Sequence, residues 1–464
     1  MDKQKKIRKP FEITGFFTKN PGRTILFSFL FIILLGSILL SFPFATNDNG
    51  RLSFIDALFT STSAVCVTGL IVQDTATKFS IFGKIVIMLL IQAGGLGIMI
   101  MSYFASFIVG KKFSIKEKMT MSYLLNVSDM RKLTGSIVKI IVITFIIELV
   151  GSLFLYLDFS ALFGHGKKAL FFSLFHAISA FCNAGFALFS DSFMQYRGDL
   201  SMNLIISLLI IFGGLSFGVM FNVVEVLMAK LRRKISGEYK LTKLTINTKI
   251  VLIYTGILLF AGMLIFYFFE HKYILLEKGI GTQYLSSFFQ SVTLRTAGFN
   301  TLDIAKLQIN TILILMVFMF IGGASGSTAG GIKVNTFGII VSYLRTILKN
   351  KTNLIIMNHH IRKRTINKAF LLMFLGLSVI FTGTLILTVT ENFALEKIIF
   401  EVVSAFGTVG LSMGITFYLS MIGKIVIVLI MFVGRIGPLT LILALSNKEK
   451  KLEIKYPEGR MIIG

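Results

Sequence analysis

Long apolar stretches alternate with basic segments along the chain, and they follow a repeating order. The first stretch of each unit has the roughly 20 apolar residues that a helix needs to cross a hydrocarbon core, at residues 24–42, 137–157, 250–269 and 369–388. A shorter apolar run follows each one, at residues 52–64, 168–181, 283–292 and 395–406. A second long run closes each unit, at residues 82–109, 204–228, 311–344 and 421–445. The pattern predicts a spanning helix, a half-length helix and a second spanning helix in each of four units.

A short turn with a central glycine follows each half-length helix. The four turns are Val67-Thr68-Gly69-Leu70, Asn183-Ala184-Gly185-Phe186, Thr296-Ala297-Gly298-Phe299 and Thr408-Val409-Gly410-Leu411. Their glycines recur at intervals of 112 to 116 residues, which indicates one module repeated four times. Irregular backbone is tolerated at membrane depth only where it lines water or is buried in protein. We therefore expect the turns to surround a central aqueous site, where glycine permits positive φ and carbonyl groups replace the hydration shell of a cation.

Composition and charge place the chain in a membrane. Hydrophobic residues make up 55% of the 464 residues, charged residues only 15%, and the mean hydropathy is +0.82, whereas a water-soluble domain has about a quarter charged residues. The net charge of +25 comes from Lys and Arg clusters between the apolar runs, near residues 3–9, 111–132, 230–243, 349–364 and 448–451. Two crossings between successive clusters would put all of them on one side, and the positive-inside rule then places them and both termini in the cytoplasm. The charge therefore indicates topology and not nucleic-acid binding.

The middle of each second spanning helix carries a pair of small or special residues. The pairs are Gly94-Gly95, Gly213-Gly214, Gly322-Gly323 and Gly434-Arg435. In the third module the pair opens a run of small residues: Gly322, Gly323, Ala324, Ser325, Gly326, Ser327, Thr328, Ala329, Gly330 and Gly331. Such a run softens or breaks a helix, and we interpret it as a flexible loop in the permeation path below the turns. Close helix packing through small residues is an alternative. A phosphate-binding loop is disfavoured because Ile332 stands where that motif requires lysine.

Charged residues near the predicted pore are the next candidates. Arg435 lies at membrane depth, where an arginine is costly and tends to face water or the bundle interior. We expect it to face the pore and to raise a barrier to cations, with a structural ion pair as the alternative. Acids follow three of the turn glycines, and they are Asp74, Asp191 and Asp303. These acids would concentrate cations at the outer mouth, or cap the segments that follow them.

Two further charges lie inside the apolar segments. Arg295 precedes the third turn glycine, where a free positive charge beside a cation path is unfavourable, so we expect it to pair with Glu391 or Glu401. Glu148 lies deep in the first helix of the second module. We expect it to be a hydrogen-bonded residue of the helix bundle rather than a transport site.

The order of membrane helix, pore helix with filter turn, and membrane helix in four copies resembles the Trk/Ktr/HKT superfamily of potassium transporters. The likeness covers nearly the entire chain and is greatest to the membrane subunit of bacterial Ktr-type uptake systems. It implies an all-α polytopic membrane protein with eight transmembrane helices around one pseudo-fourfold pore. The implied divisions are a cytoplasmic N-terminal segment (1–23), repeat 1 (24–109), repeat 2 (136–229), repeat 3 (249–347, with the gating loop 322–331), repeat 4 (368–446) and a cytoplasmic C-terminal tail (447–464).

The resemblance also implies a function. It predicts K⁺ uptake across the bacterial cytoplasmic membrane, with the four turns as selectivity filter and with the Gly322–Gly331 loop and Arg435 as gate. Relatives that carry serine in the first turn favour Na⁺, so Gly69 favours K⁺. The implied partners are a second copy of the chain, a cytosolic regulatory ring of nucleotide-binding subunits and membrane lipid, with Na⁺ as a candidate activator. A Na⁺-selective or unselective cation transporter of the same fold is the alternative, and enzyme activity is not expected.

Overall fold

A computed structural model describes residues 21–48, 50–97, 133–236, 242–276, 278–351 and 353–445. Several sequence expectations lie outside these residues. They are the N-terminal segment up to residue 20, the second helix of repeat 1 beyond residue 97, the basic clusters at 3–9, 111–132 and 448–451, and the C-terminal tail.

The described residues form helices throughout, with one short antiparallel hairpin. The elements of repeats 1 and 2 are α1 (Pro21–Leu40), α2 (Phe54–Val65), α3 (Ile81–Leu96), α4 (Leu133–Phe163), α5 (Lys167–Phe181), α6 (Leu200–Gly214) and α7 (Phe217–Ser236). Those of repeats 3 and 4 are α8 (Ile246–Glu270), α9 (Ile280–Thr293), α10 (Ile309–Phe320), α11 (Val334–Leu348), β1 (Ile355–Ile356), β2 (His359–His360), α12 (Lys363–Thr390), α13 (Leu395–Gly407), α14 (Met421–Ile436) and α15 (Pro438–Leu445). Short 3₁₀ turns lie at Pro43–Ala45, Met194–Tyr196, Ile304–Lys306 and Thr416–Tyr418.

The first helix of each repeat is long and apolar enough to cross a membrane. Within the described residues, α1, α4, α8 and α12 meet this criterion by length and composition. Their outward faces carry exposed large apolar side chains such as Phe31, Leu149, Phe260 and Phe374. A water-soluble protein rarely exposes so much apolar surface, so these faces fit a lipid environment.

The half-length helices lie at the centre of the helix bundle. Each of α2, α5 and α13 packs against both neighbouring helices of its own repeat, and α9 packs against α8. Each also packs against the second helix of the preceding repeat: α5 on α3, α9 on α6, and α13 on α10. The helix α2 of repeat 1 packs on α14 of repeat 4. The contact pattern therefore closes into a ring.

An ion pair stabilises the junction where the ring closes. Lys424 Nζ on α14 lies 2.7 Å from Asp56 Oδ1 on α2, and both side chains are mostly buried, at 16% and 13% exposure. Gln73 also donates to Asp56 (3.4 Å). Because the two residues are far apart in sequence, this pair joins the first repeat to the last.

In three repeats, a carboxylate at the C-terminal end of the first helix forms a hydrogen bond with the start of the second helix. The pairs are Asp158 with the Ser201 hydroxyl (3.0 Å), Glu270 with the Gln308 N–H (3.0 Å) and Glu391 with the Ser420 N–H (3.1 Å). A negative charge at a helix N-terminus interacts favourably with the helix dipole. These pairs fix the outer ends of the repeats around the centre.

The second helices of repeats 2 and 4 are broken, which corrects the prediction of continuous spanning helices at 204–228 and 421–445. The helix α6 ends at Gly214, and α7 departs at an angle of 102°. The helix α14 ends at Ile436, where Gly437 has φ of 88° and Pro438 begins α15. In repeat 1, α3 ends at Leu96 before Gly97, which has φ of 84°. Glycine permits these left-handed positions and proline cannot continue the helix, so the chain turns there.

The first glycine of the mid-helix pair allows close contact in repeats 1, 2 and 4. A Cβ placed on Gly94, Gly213 or Gly434 would collide with a carbonyl at the C-terminal end of the half-length helix in the same repeat. The carbonyls belong to Val65, Phe181 and Phe406, respectively. Small-residue packing thus explains these glycines, whereas the pair of repeat 3 opens into a loop.

The packing role of these glycines predicts a stability loss. We expect Gly213→Ala to destabilise the protein by about 1–3 kcal/mol, because the methyl group would overpack the contact with Phe181. Gly256→Ala on α8 is the matched control, since no atom lies within 4 Å of an added Cβ there. That change should leave stability unchanged or raise it slightly, as alanine is the better helix former. Melting temperatures of the purified proteins in detergent measure the difference, and equal values for both variants would refute this packing role.

Candidate functional site

The turns after the four half-length helices share one backbone conformation. The residue two before each glycine has positive φ: 50° at Val67, 58° at Asn183, 70° at Thr296 and 50° at Thr408. The glycines also have positive φ: 93° at Gly69, 70° at Gly185, 81° at Gly298 and 92° at Gly410. Positive φ is rare for non-glycine residues and especially unfavourable for β-branched ones. Such strain persists only where the surroundings enforce it, and it concentrates at functional sites.

Hydroxyl groups at the ends of the half-length helices support this conformation. The backbone N–H groups of Gly69 and Gly410 donate to Ser63 Oγ and Ser404 Oγ, each at 3.1 Å. In the other two repeats the hydroxyl donates to the carbonyl after the glycine. These bonds are Ser179 Oγ to Phe186 O (2.8 Å) and Thr293 Oγ1 to Phe299 O (2.6 Å). Sequence analysis did not single out these hydroxyls, although aligning the four repeats on their glycines would have shown a Ser or Thr shortly before each one.

The four turns meet as a closed ring. A Cβ on Gly69 would lie 2.6 Å from Ala184 O, one on Gly185 would lie 2.7 Å from Ala297 O, and one on Gly298 would lie 2.5 Å from Val409 O. A Cβ on Gly410 would collide with Thr68 O, which returns to the first repeat. Each glycine thus faces the carbonyl before the glycine of the next repeat. We call the four glycines and these four carbonyls the turn ring.

A cavity of about 200 Å³ opens on one side of the turn ring. All four turn glycines line it, together with residues that follow them, including Asp191, Asn300, Ser412 and Thr416. Of the three acids singled out in the sequence, Asp191 faces this cavity. Asp74 and Asp303 accept backbone N–H groups two residues ahead, from Ala76 (2.9 Å) and Ala305 (3.1 Å). These two therefore serve as caps.

The small-residue loop (Gly322–Gly331) lies against the opposite side of the turn ring. It leaves α10 and returns to α11 through a narrow neck, where the Gly322 N–H donates to Ile332 O (2.8 Å). A Cβ on Gly322 would lie 3.3 Å from Thr296 Cγ2, and one on Gly330 would collide with Thr408 Oγ1. The Lys333 ammonium donates to Ala329 O (2.5 Å) and holds the returning strand of the loop. The loop thus contacts residues that precede the turn glycines.

The tip of the loop is held by repeat 2. The Ala324 N–H donates to Gly214 O (3.0 Å), and the Thr328 N–H donates to Gly213 O (3.2 Å). The Thr328 hydroxyl lies 2.8 Å from Gly213 O and 3.2 Å from Asn183 Oδ1. The broken end of α6 therefore presents its terminal carbonyls to the loop.

Arg435 joins the loop to the two remaining repeats. It is half-buried, its Nη1 donates to Thr328 O and its Nη2 donates to Gly94 O at the end of α3. Thr328 thus binds repeat 2 through its side chain and N–H, and repeat 4 through its carbonyl. The arginine has carbonyl partners rather than an acid, so the ion-pair alternative does not describe this structure.

The prediction that Arg295 pairs with Glu391 or Glu401 is wrong. Glu391 binds Ser420, and Glu401 accepts hydrogen bonds from Ser412 (2.8 Å) and Thr416. Sequence spacing could not reveal that these carboxylates are taken by nearby loops. Glu148, in contrast, is a hydrogen-bonded bundle residue, since Gln92 donates to it at 3.1 Å. Within the described residues there is no cluster of three or more His, Cys, Asp and Glu side chains suited to a metal ion.

Comparisons with known proteins identify the family. Residues 22–454 match the family described as TrkH, cation transport protein. The chain is 40% identical over 447 residues to Ktr system potassium uptake protein B of Bacillus subtilis, which covers 96% of this chain and 97% of that protein. It is 37% identical to the potassium/sodium uptake protein NtpJ of Enterococcus hirae, covering 96% and 97% of the two chains.

A solved structure shows the same fold. The potassium transporter TrkH from Vibrio parahaemolyticus aligns with a TM-score of 0.71 and 18% identity, covering 96% of this chain and 87% of that one. The relatives are cation transporters and not enzymes, which confirms both the family expected from the sequence and the expectation against an enzyme. The chain belongs to the TrkH family of cation transport proteins.

Proposed function

We propose that this protein takes up K⁺ across the bacterial cytoplasmic membrane and that the ion passes through the turn ring. The observation that carries the proposal is the meeting of four turns, in which each glycine faces a carbonyl of the next repeat. Rings of backbone carbonyls replace the hydration shell of K⁺ in potassium channels. The names of the similar proteins, which include potassium uptake protein B and potassium transporter TrkH, support K⁺ as the transported ion.

The proposed filter consists of the residues Val67 to Leu70, Asn183 to Phe186, Thr296 to Phe299 and Thr408 to Leu411. Their side chains differ between repeats, so the ring has only approximate fourfold symmetry. The cavity that Asp191 faces would be the outer entrance, where a carboxylate attracts cations. The small-residue loop would then lie on the cytoplasmic side of the filter.

The topology follows if each broken second helix counts as one crossing. The four long helices and the four second helices, of which that of repeat 1 is described only to residue 97, would then give eight crossings, grouped as repeats 24–109, 136–229, 249–347 and 368–446. Basic residues at the end of α7, Arg232, Arg233 and Lys234, and those between α11 and α12 would share the cytoplasmic side with both termini. This arrangement places the turn ring in the middle of the protein.

The loop and Arg435 form the proposed gate. Arg435 connects Gly94 O of repeat 1 to Thr328 O of repeat 3, and Thr328 connects to Gly213 O of repeat 2. A single set of bonds therefore closes the path across all four repeats. The guanidinium also places a positive charge beneath the filter, where it opposes the passage of a cation. Opening requires these bonds to break.

Regulation would come from outside this chain. The names of two relatives as parts of a Ktr system support a partner from the same system. The proposed partners are a second copy of the chain and a cytosolic ring of nucleotide-binding subunits, as the family resemblance implies. The basic segments at 230–249 and 349–364 are the candidate contacts for that ring, with anionic lipid as the competing partner. Na⁺ is a candidate activator. Because one relative is named a potassium/sodium uptake protein, transport of Na⁺ by the same fold is the second candidate function.

The filter assignment predicts a change in selectivity. We expect Gly69→Ser to reduce the preference for K⁺ over Na⁺ on the order of tenfold, or about 1.4 kcal/mol, because the side chain would displace Ala184 O. Gly164→Ser is the matched control: its φ of 75° imposes a similar strain, but no atom beyond its chain neighbours lies within 4 Å of an added Cβ, and Gly164 does not line the cavity beside the turn ring. Competition between the two ions for uptake, in cells without other K⁺ uptake systems, measures the ratio. Equal ratios in both variants would exclude Gly69 from the filter.

The gate assignment predicts a gain of flux. We expect Arg435→Gln to raise K⁺ flux by at least about tenfold in liposomes without a cytosolic partner, since hydrogen bonds to charged groups contribute about 1.5–3 kcal/mol each. Arg197→Gln, which changes an exposed arginine far from the loop, serves as the control and should leave flux unchanged. Flux of the Arg435 variant at or below that of the parent protein would show that this arginine does not close the path.

A further inference from the structure

Arg295 is a buried cation with unused donors. Its residue is 3% exposed, and within the described part of the chain neither Nε nor Nη2 has a hydrogen-bond partner. None of the ion pairs among those residues includes it. Burying a charged group without partners is costly. The surroundings of Arg295 must therefore compensate for this cost in some other way.

The position of Arg295 indicates what that state involves. Its carbonyl accepts from Asn183 Nδ2 (3.3 Å), which ties it to the turn of repeat 2. Its Nη2 would lie 4.0 Å from a Cβ on Gly214, so the guanidinium borders the broken end of α6. The C-terminus of a helix carries partial negative charge and free carbonyls, which favour a nearby cation. The helix end explains how the charge is tolerated without an acid.

The same helix end is where the small-residue loop docks. In this structure Gly213 O and Gly214 O accept their hydrogen bonds from Thr328 and Ala324 of the loop. When the loop leaves, both carbonyls lose these donors, while the guanidinium still borders the end of the same helix at Gly214. A buried carbonyl without a donor costs free energy. The Arg295 donors that are unused while the loop is docked therefore match the Gly213 and Gly214 carbonyls that lose their donors when the loop is released.

We propose that Arg295 is a positioning residue for gate opening, whose guanidinium takes the Gly213 and Gly214 carbonyls when the small-residue loop releases them. The exchange lowers the free-energy cost of opening, because the helix end keeps its hydrogen bonds in both states. Arg435 and Arg295 then have opposite effects: Arg435 stabilises the docked loop, and Arg295 stabilises the site that the loop leaves. This inference rests on the proposed gating role of the loop.

The test combines two changes in the full-length protein. Arg295→Met keeps the length of the side chain and removes every donor, and Arg295→Lys keeps the charge and part of the donor capacity. Each is placed in the parent chain and in a variant that lacks residues 324–328, which removes both loop donors. The measurements are the maximal rate and the KM of K⁺ flux in liposomes, together with the melting temperature of each purified protein.

We expect Arg295→Met to lower the maximal flux of the parent chain at least threefold with unchanged KM, and Arg295→Lys to lower it less. Without the loop tip, flux should rise and Arg295→Met should no longer reduce it. The effect on melting temperature should be the opposite. Arg295→Met should lower the melting temperature little in the parent chain and more in the shortened chain, where Arg295 has its carbonyl partners.

An equal loss of flux in both backgrounds, or a changed KM, would overturn the role of Arg295 while leaving the gate intact. If the shortened chain shows no gain of flux, the gating role of the loop fails and this inference fails with it.

Discussion

The absence of any side chain at the turn glycines is the constraint on which the rest of the structure depends. The four turns approach so closely that a Cβ on any of the glycines would meet a carbonyl of the neighbouring repeat. This approach requires left-handed backbone at two positions in each turn, and the Ser and Thr hydroxyls of the half-length helices hold it. The half-length helices must in turn be packed from all sides, which the mid-helix glycines of the second helices permit. The closed ring of helix contacts is a consequence of this central requirement.

The contacts of the small-residue loop link all repeats below this ring. Thr328 is the residue at which they meet, since its side chain binds repeat 2 and its carbonyl binds Arg435, which also binds repeat 1. Under the proposed gating role, such an arrangement would be sensitive to one local change, because the loss of a few hydrogen bonds would release the loop from three repeats together. The breaks in the second helices are part of this design. They expose helix-terminal carbonyls, and these carbonyls are the acceptors that the loop and Arg435 use.

Much of the fold could be predicted from the sequence, because apolar length and glycine spacing are strong signals in a membrane protein. The half-length helix predicted at 395–406 is observed as Leu395–Gly407, and the one at 168–181 as Lys167–Phe181. The breaks in α6 and α14 were not predicted, since a glycine pair inside an apolar run fits a continuous helix equally well. The environment of Arg295 was also missed, because sequence cannot show that a helix end takes the place of an acid. Asp74 and Asp303 act as caps while Asp191 faces the cavity, a distinction that depends on loop geometry.

The central claim, that the permeating ion is coordinated in the turn ring, is tested most directly by locating a heavy K⁺ analogue. Crystals of the protein grown with Tl⁺ or Rb⁺ would give an anomalous signal wherever the ion binds. The account predicts peaks on the axis between Gly69, Gly185, Gly298 and Gly410, within coordination distance of the carbonyls that precede them, and a loss of these peaks on exchange into Na⁺. Peaks confined to other sites, with none in the turn ring, would contradict it.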